Sequence, residues 1–209
     1  MMAISASTPV LLATTNPGKL REFRGLMHGW LPPDRIRCLS DLSPVPPPEE
    51  NGASFLANAR IKAEYYSGAF PGVLVVAEDS GLSVPALGGR PGIHSARFAG
   101  PPFSDARNID RLLERLKDAK DRSASFITQA VVALDGRELF HCRGEVAGRI
   151  LATSRGAGGF GYDPVFFFPP LGKSFAELRP AEKNRVSHRG RAMEKIRDFL
   201  INLAKETGG

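Results

Sequence analysis

The run Val73-Leu74-Val75-Val76-Ala77-Glu78-Asp79-Ser80-Gly81 decides the fold class. Its first five residues are apolar without polar alternation. That pattern describes a strand covered on both faces, as in a sheet with helices on either side. Glu78 and Asp79 are expected at the C-terminal end of this strand. Ligands in open α/β folds gather beyond the carboxyl ends of strands, so two acids delivered there mark a candidate site. Hard carboxylate oxygens suit Mg²⁺, and a carboxylate beside that ion can orient or deprotonate an attacking water. Glu49 and Glu50 are available as a second acidic arm. The Asp-Ser-Gly sequence is also good turn chemistry, which leaves a plain turn open at this level.

Upstream, residues 10–13 read as a short buried strand. Leu20, Phe23, Arg24 and Met27 continue at helical spacing until Gly29 and the Pro32-Pro33 stop. Between them, Thr14-x-Asn16-x-Gly18-Lys19 offers hydroxyl, amide, a permissive glycine and a cation, which suits phosphate. An ordinary turn with an Asn cap is the alternative. The Gly-x4-Gly-Lys-Ser/Thr spacing of a P-loop is absent. Residues 34–52, rich in proline and acid, read as a surface connection. Residues 54–66 read as a helix on which Ser54, Asn58 and Lys62 share one polar stripe.

Downstream, Ser104 caps a helix whose Ile109, Leu112, Leu113 and Leu116 fall on one face. Residues 126–134 and 138–142 flank Asp135-Gly136, a preferred two-residue hairpin turn, and residues 145–151 add a further strand. Ser187 caps a final helix with an apolar stripe of Ala192, Met193, Ile196, Phe199, Leu200 and Leu203. Helices and strands in this order predict an α/β fold with a long mixed β-sheet. With 209 residues, one domain or one domain split into two lobes is expected.

The chain carries 28 Lys and Arg against 22 Asp and Glu, a net charge of +6, which suits polyanionic partners. Two helix starts hold cations where the helix dipole favours acids: Lys19 opens the first helix, and His188-Arg189 follow the Ser187 cap. A bound phosphate at each would remove the conflict. Lys183, read as a loop lysine, stands just before the second. Residues 158–164, Gly-Gly-Phe-Gly-Tyr-Asp-Pro, set two aromatics among glycines. Phe160 could stack on a base and Asp163 could read its edge, or the aromatics could be core under a turn. His28, His94 and His141 show no metal-ligand spacing. Cys38 and Cys142 read as ordinary buried thiols in a reducing, cytoplasmic setting. No apolar run reaches the roughly 18 residues of a membrane helix, and the N-terminus shows no secretory pattern.

Taken together, Thr14-Thr15-Asn16-Pro17-Gly18-Lys19, Glu78 to Leu82 with Pro91-Gly92-x-x-Ser95-Ala96-Arg97-Phe98, Gly159 to Pro164, and Lys183-Asn184-x-x-Ser187-His188-Arg189 resemble the inosine/xanthosine triphosphate pyrophosphatases. The motifs stand in the family's order and span residues 14 to 189. The resemblance implies a homodimer of two-lobed α/β chains, each with its active cleft between the lobes. It implies hydrolysis of ITP, dITP and XTP to the monophosphate and pyrophosphate, with Mg²⁺ as cofactor, which cleanses the nucleotide pool. Carried over by motif, Asp79 is the expected general base and a metal-site carboxylate, with Glu50 the second metal-site acid. Thr14, Thr15, Asn16, Pro17, Gly18, Lys19 and Lys62 form the expected phosphate grip, and Ser80 lies beside them as a substrate contact. Phe160, Gly161, Tyr162, Asp163, Lys183, His188 and Arg189 are expected to hold the nucleoside. Thr15 stands where the family often has Gly, and Ala57 replaces a frequent Glu before Asn58. Two other readings remain at this level: hydrolysis of another modified nucleotide, and a basic nucleic-acid-binding protein without catalysis. Alternating charge and a strong apolar face on the final helix argue against a stable nucleic-acid complex.

Overall fold

The computed structural model describes residues 8–206. The reading of the N-terminus as lacking a secretory pattern falls partly outside the described residues. Seven strands form one mixed sheet in the order β2-β1-β3-β4-β5-β6-β7. They are β1 (Val10–Leu12), β2 (Ile36–Cys38), β3 (Leu74–Ser83), β4 (Ser123–Leu134), β5 (Arg137–Ile150), β6 (Phe166–Phe168) and β7 (Lys173–Ser174). The helices are α1 (Pro17–Met27), α2 (Phe55–Ala69), α3 (Asp105–Arg115), α4 (Pro180–Val186) and α5 (His188–Glu206). Strand β1 pairs in parallel with β2 and β3, whereas β5, β6 and β7 pair antiparallel. Among the described residues, no helix is long and apolar enough to cross a membrane.

The chain divides into two compact units. Of the described residues, the first holds 8–79, 129–143 and 190–206. Here successive strand residues face two different cores. Val10, Leu12, Leu74, Val76, Ala130 and Val132 pack with Phe23 and Met27 of α1 and with Ala192, Met193, Ile196 and Leu200 of α5. Leu11, Ala13, Val75, Ala77, Val131 and Ala133 pack on Ala59, Ala63 and Tyr66 of α2. Burial on both faces accounts for the uninterrupted apolar run in β3. Phe199 of α5 also stacks on Phe140, with ring centres 4.5 Å apart. Between β4 and β5, Asp135 and Gly136 both take positive φ, at 50° and 78°, as a type I′ hairpin turn requires.

The second unit comprises residues 80–128 and 144–189. Its core gathers Leu82, Val84, Ile109, Leu112, Leu116, Val146 and Ile150 around an aromatic group of Phe126, Phe166 and Phe175. Ring centres in that group lie 4.5–5.8 Å apart.

Four elements differ from the sequence reading. Glu78 and Asp79 are not at the end of their strand, because β3 continues to Ser83. The pairing of β1 with β3 stops at Leu12 opposite Val76, and farther along β3 the Leu82 amide donates instead to Ser95 Oγ at 2.9 Å. A side chain thus satisfies backbone that would otherwise need a strand partner. Lys183 is not a loop lysine but sits on α4, a helix that the proline at its start makes easy to begin. The strand read at residues 145–151 is the second half of one long β5. The proline-rich connection contains β2, whose Ile36 and Cys38 are buried while Arg37 is exposed.

Candidate active site

In the first unit, parallel pairing sets the site. Strands β1 and β3 run in the same direction, with Leu12 opposite Val76. The loop leaving β1 and the acids following Val76 therefore emerge together. Asn16 Oδ1 accepts the Gly18 and Lys19 amides at 2.8 and 3.2 Å, and its own amide donates to Thr14 Oγ1 at 3.1 Å. Asn16 is the N-cap of α1 and Pro17 occupies the first turn, where a missing N–H costs nothing. Two amides at the start of α1 are thus already satisfied by the cap, which leaves the Lys19 ammonium as the charged group of this turn. That ammonium lies 3.6 Å from Glu78 Oε1. Glu78 is 3% exposed, a burial that a carboxylate tolerates only with partners. Thr15 and Pro17 lie exposed on the loop.

Asp79 faces α2. Ser54 Oγ caps that helix on the Ala57 amide at 3.1 Å. Asn58 and Lys62 follow at four-residue spacing, which places them on one side. Asn58 Nδ2 donates to Asp79 Oδ2 at 3.2 Å, while its Oδ1 accepts the Gly52 amide at 2.8 Å. A Cβ at Gly52 would come within 2.7 Å of Ala57 Cβ and of Asn58 Oδ1, so glycine lets the proline-rich segment close on the helix. The closure brings in Glu50: Lys62 Nζ lies 2.9 Å from Glu50 Oε2 and 4.0 Å from Asp79 Oδ1. Of the two neighbouring acids, Glu50 is the one that reaches Lys62. Burial pushes the Asp79 carboxyl above its ordinary range, while Lys62, Lys19 and the Asn58 hydrogen bond pull it down and Glu50 pushes it up. A carboxylate with a raised pKa in polar company is a better proton acceptor than an exposed one.

The second unit carries the Gly-rich segment. Asp163, 2% exposed, accepts the Phe160 amide at 2.9 Å and pairs with the Lys183 ammonium, itself in a residue 5% exposed. Gly159 takes φ +74°, and a Cβ there would collide with the Asp163 carboxylate. The Phe160 ring has the Lys183 ammonium 4.8 Å and the Arg189 guanidinium 5.4 Å from its centre. Such an arrangement holds an aromatic face with cations around it. Tyr162, 4% exposed, donates its hydroxyl to the Ser95 carbonyl at 2.8 Å, and burial holds that hydroxyl well above its usual range. The His188 ring stacks on Phe126 at 4.7 Å, and Arg189 donates to Ser80 Oγ at 3.2 Å. Here Tyr162 is core while Phe160 stays partly open.

The structure thus assembles Lys19, Glu50, Lys62 and Asp79 in one unit, and Ser80, Phe160, Asp163, Lys183 and Arg189 in the other. Sequence reading left out Glu78 as a partner of Lys19, and Ser95 and Asp105 as supports of the Gly-rich loop. The first could be found from strand alternation with Asp79. The others contact the loop from 67 and 56 residues away and leave no local signal.

The sequence profile of the Ham1 family matches residues 10–199. A protein named dITP/XTP pyrophosphatase from Acidobacterium capsulatum is 46% identical over 193 residues, covering 88% of this chain and 94% of its own. One of the same name from Desulfotalea psychrophila is 43% identical, covering 94% and 86%. The solved structure of a HAM1 protein from Coxiella burnetii superposes with a TM-score of 0.83 at 38% identity, covering 93% of this chain and 99% of that one. The matched span contains the residues described above in each unit, and by that span and these relatives the chain belongs to the Ham1 family.

Proposed function

We propose that this protein hydrolyses non-standard purine nucleoside triphosphates, dITP, ITP and XTP, to the nucleoside monophosphate and pyrophosphate. The observation that carries the reading is the half-buried Asp79 carboxylate set among Asn58, Lys62 and Lys19. A triphosphate brings about four negative charges, which the two lysines offset while charge moves during phosphoryl transfer. Asp79 takes a proton from water as the water oxygen bonds the α-phosphorus. The bond from that phosphorus to the bridging oxygen breaks, and pyrophosphate leaves with the electron pair.

Glu50 and Asp79 share the Lys62 ammonium. Two hard carboxylates at one place fit Mg²⁺, which binds through one or two carboxylates plus phosphates and keeps several waters. Bound there, Mg²⁺ would supply charge neutralisation on the phosphates. Phe160 offers a stacking face for the base. Donors facing O6 would favour a 6-keto purine over adenine, whose amino group would leave a buried donor unpaired, and guanine, which shares O6, would be turned away through its 2-amino group. The same proposal includes a homodimer in the cytoplasm, with no stable nucleic-acid complex.

Pyrophosphate release from dITP, ITP, XTP, ATP and GTP, with Mg²⁺ and with chelator, tests the reading. It expects metal-dependent release from the first three only. No release from any of them would return a non-catalytic binder of polyanions to first place. That alternative draws on Arg90, Arg97, Arg111 and Arg115, which line a groove of about 710 Å³ in the second unit. Steeply salt-dependent duplex binding would support it.

A further inference from the structure

Three of the side-chain hydrogen bonds at the loop that carries Phe160 bear on its position. Asp163 accepts the Phe160 amide, Tyr162 donates to the Ser95 carbonyl, and Asp105 Oδ2 accepts the Gly161 amide at 2.7 Å. The first lies within the loop, and the second ties it to Ser95 in the segment before α3. The third comes from a different element: Asp105 is the first residue of α3, where the helix dipole favours an acid.

The helix is firmly held. Ile109 and Leu112 of α3, with Leu116 just beyond it, are buried in the core of the second unit. One turn into α3, Asn108 accepts the Ala99 amide at 2.8 Å and donates to the Ala96 carbonyl at 3.1 Å. Ser95, in the same segment, bonds the Gly92 carbonyl at 2.6 Å and the Leu82 amide at 2.9 Å. The Asp105 carboxylate therefore projects from a braced position onto a glycine that needs bracing. Gly161 takes φ +61° and a Cβ there would meet nothing within 4 Å. The side on which a Cβ would stand is open, and glycine gives up more backbone freedom on ordering than any other residue. Asp105 is close enough that its charge, after burial, also raises the Tyr162 hydroxyl.

We infer that Asp105 is a positioning residue for nucleoside recognition: by holding the Gly161 amide from α3, it fixes the Phe160 ring against Lys183 and Arg189 in the orientation that receives the base. This rests on the proposed nucleotide chemistry and adds to it a residue outside the family motifs. Asp105 touches no phosphate-binding group, so its loss should weaken the hold on the nucleoside and leave the triphosphate grip intact.

The test compares Asp105→Ala and Asp105→Asn with the unaltered protein. In Asp105→Ala the KM for dITP should rise about tenfold with kcat within about twofold, whereas inhibition by inorganic tripolyphosphate stays unchanged. In Asp105→Asn the amide oxygen still accepts, so KM should return to within about twofold. Hydrogen exchange at the Gly161 amide decides the positioning independently of turnover. It should be protected in the unaltered protein and in Asp105→Asn, and at least about tenfold faster in Asp105→Ala. Equal exchange in all three overturns the inference. So does a tripolyphosphate inhibition constant that rises in step with KM, which would mark general damage to the fold. Absence of dITP hydrolysis by the unaltered protein would instead overturn the nucleotide reading, and the exchange result would still decide the role of Asp105 in the loop.

Discussion

The Lys62 ammonium stands 4.0 Å from Asp79 Oδ1 and 2.9 Å from Glu50 Oε2, so one cation serves two acids that arrive from different parts of the chain. Asp79 comes from β3 and Glu50 from the proline-rich segment, closed onto α2 through Gly52 and Asn58. The cation keeps two neighbouring carboxylates tolerable while leaving Asp79 above the ordinary carboxylate range.

That raised pKa predicts a trade of stability for function. A carboxyl raised in the folded state binds protons more tightly folded than unfolded. Its penalty to the fold is absent below the unfolded pKa, grows as pH rises through the window between the two values, and is fully present above the folded one. Asp79→Asn should therefore raise the melting temperature at pH 7 in chelator and lose that advantage as the pH falls toward 3. At this chain length each kcal/mol is worth roughly 2–4 °C. The same variant should lose turnover while still binding dITP. Unchanged or lower stability at pH 7 would contradict the electrostatic account.

Lys19 is expected to act on the substrate's phosphates. Hydrogen bonds to charged groups contribute roughly 1.5–3 kcal/mol, so Lys19→Gln should raise the KM for dITP about tenfold or more. Steady-state kinetics check this, and unchanged KM and kcat would remove Lys19 from the grip.

The buried pair Asp163–Lys183 predicts a strong asymmetry between single and double variants. Asp163→Ala strands a buried ammonium and should cost about 3–5 kcal/mol, read as a fall in the urea midpoint. Asp163→Leu combined with Lys183→Met should cost less than the sum of its parts, since neither charge is left alone. Additive losses would show that the two groups do not depend on each other.

Gly159→Ala should harm the same loop by a different route. Its φ of +74° disfavours any side chain by roughly 1–2 kcal/mol, and the new methyl would displace Asp163. A raised KM for dITP together with a lower urea midpoint is the expected result.

Much of the scaffold was legible because its signals are local. The apolar run of β3, the Asp135-Gly136 turn and the stripes of α3 and α5 each follow from a few neighbouring residues. Polar residues obscured the rest. Glu78 to Ser80 look like the end of a strand, yet β3 runs through them to Ser83, where Ser95 Oγ from a distant segment satisfies the Leu82 amide. Ile36 to Cys38 is too short to stand out among prolines and forms a strand only because β1 lies beside it. Lys183 looked like solvated loop because its carboxylate partner lies 20 residues away. For the candidate site, the resemblance pointed to Asp79, Glu50 and Lys62, which the structure brings together, but the contacts made by Glu78, Ser95 and Asp105 depend on tertiary placement.

The most direct measurement is hydrolysis of dITP in ¹⁸O-labelled water, with the label located by mass spectrometry. Water directed at the α-phosphorus predicts one ¹⁸O in the nucleoside monophosphate and none in pyrophosphate. Label in pyrophosphate, or release of orthophosphate in its place, would contradict the account.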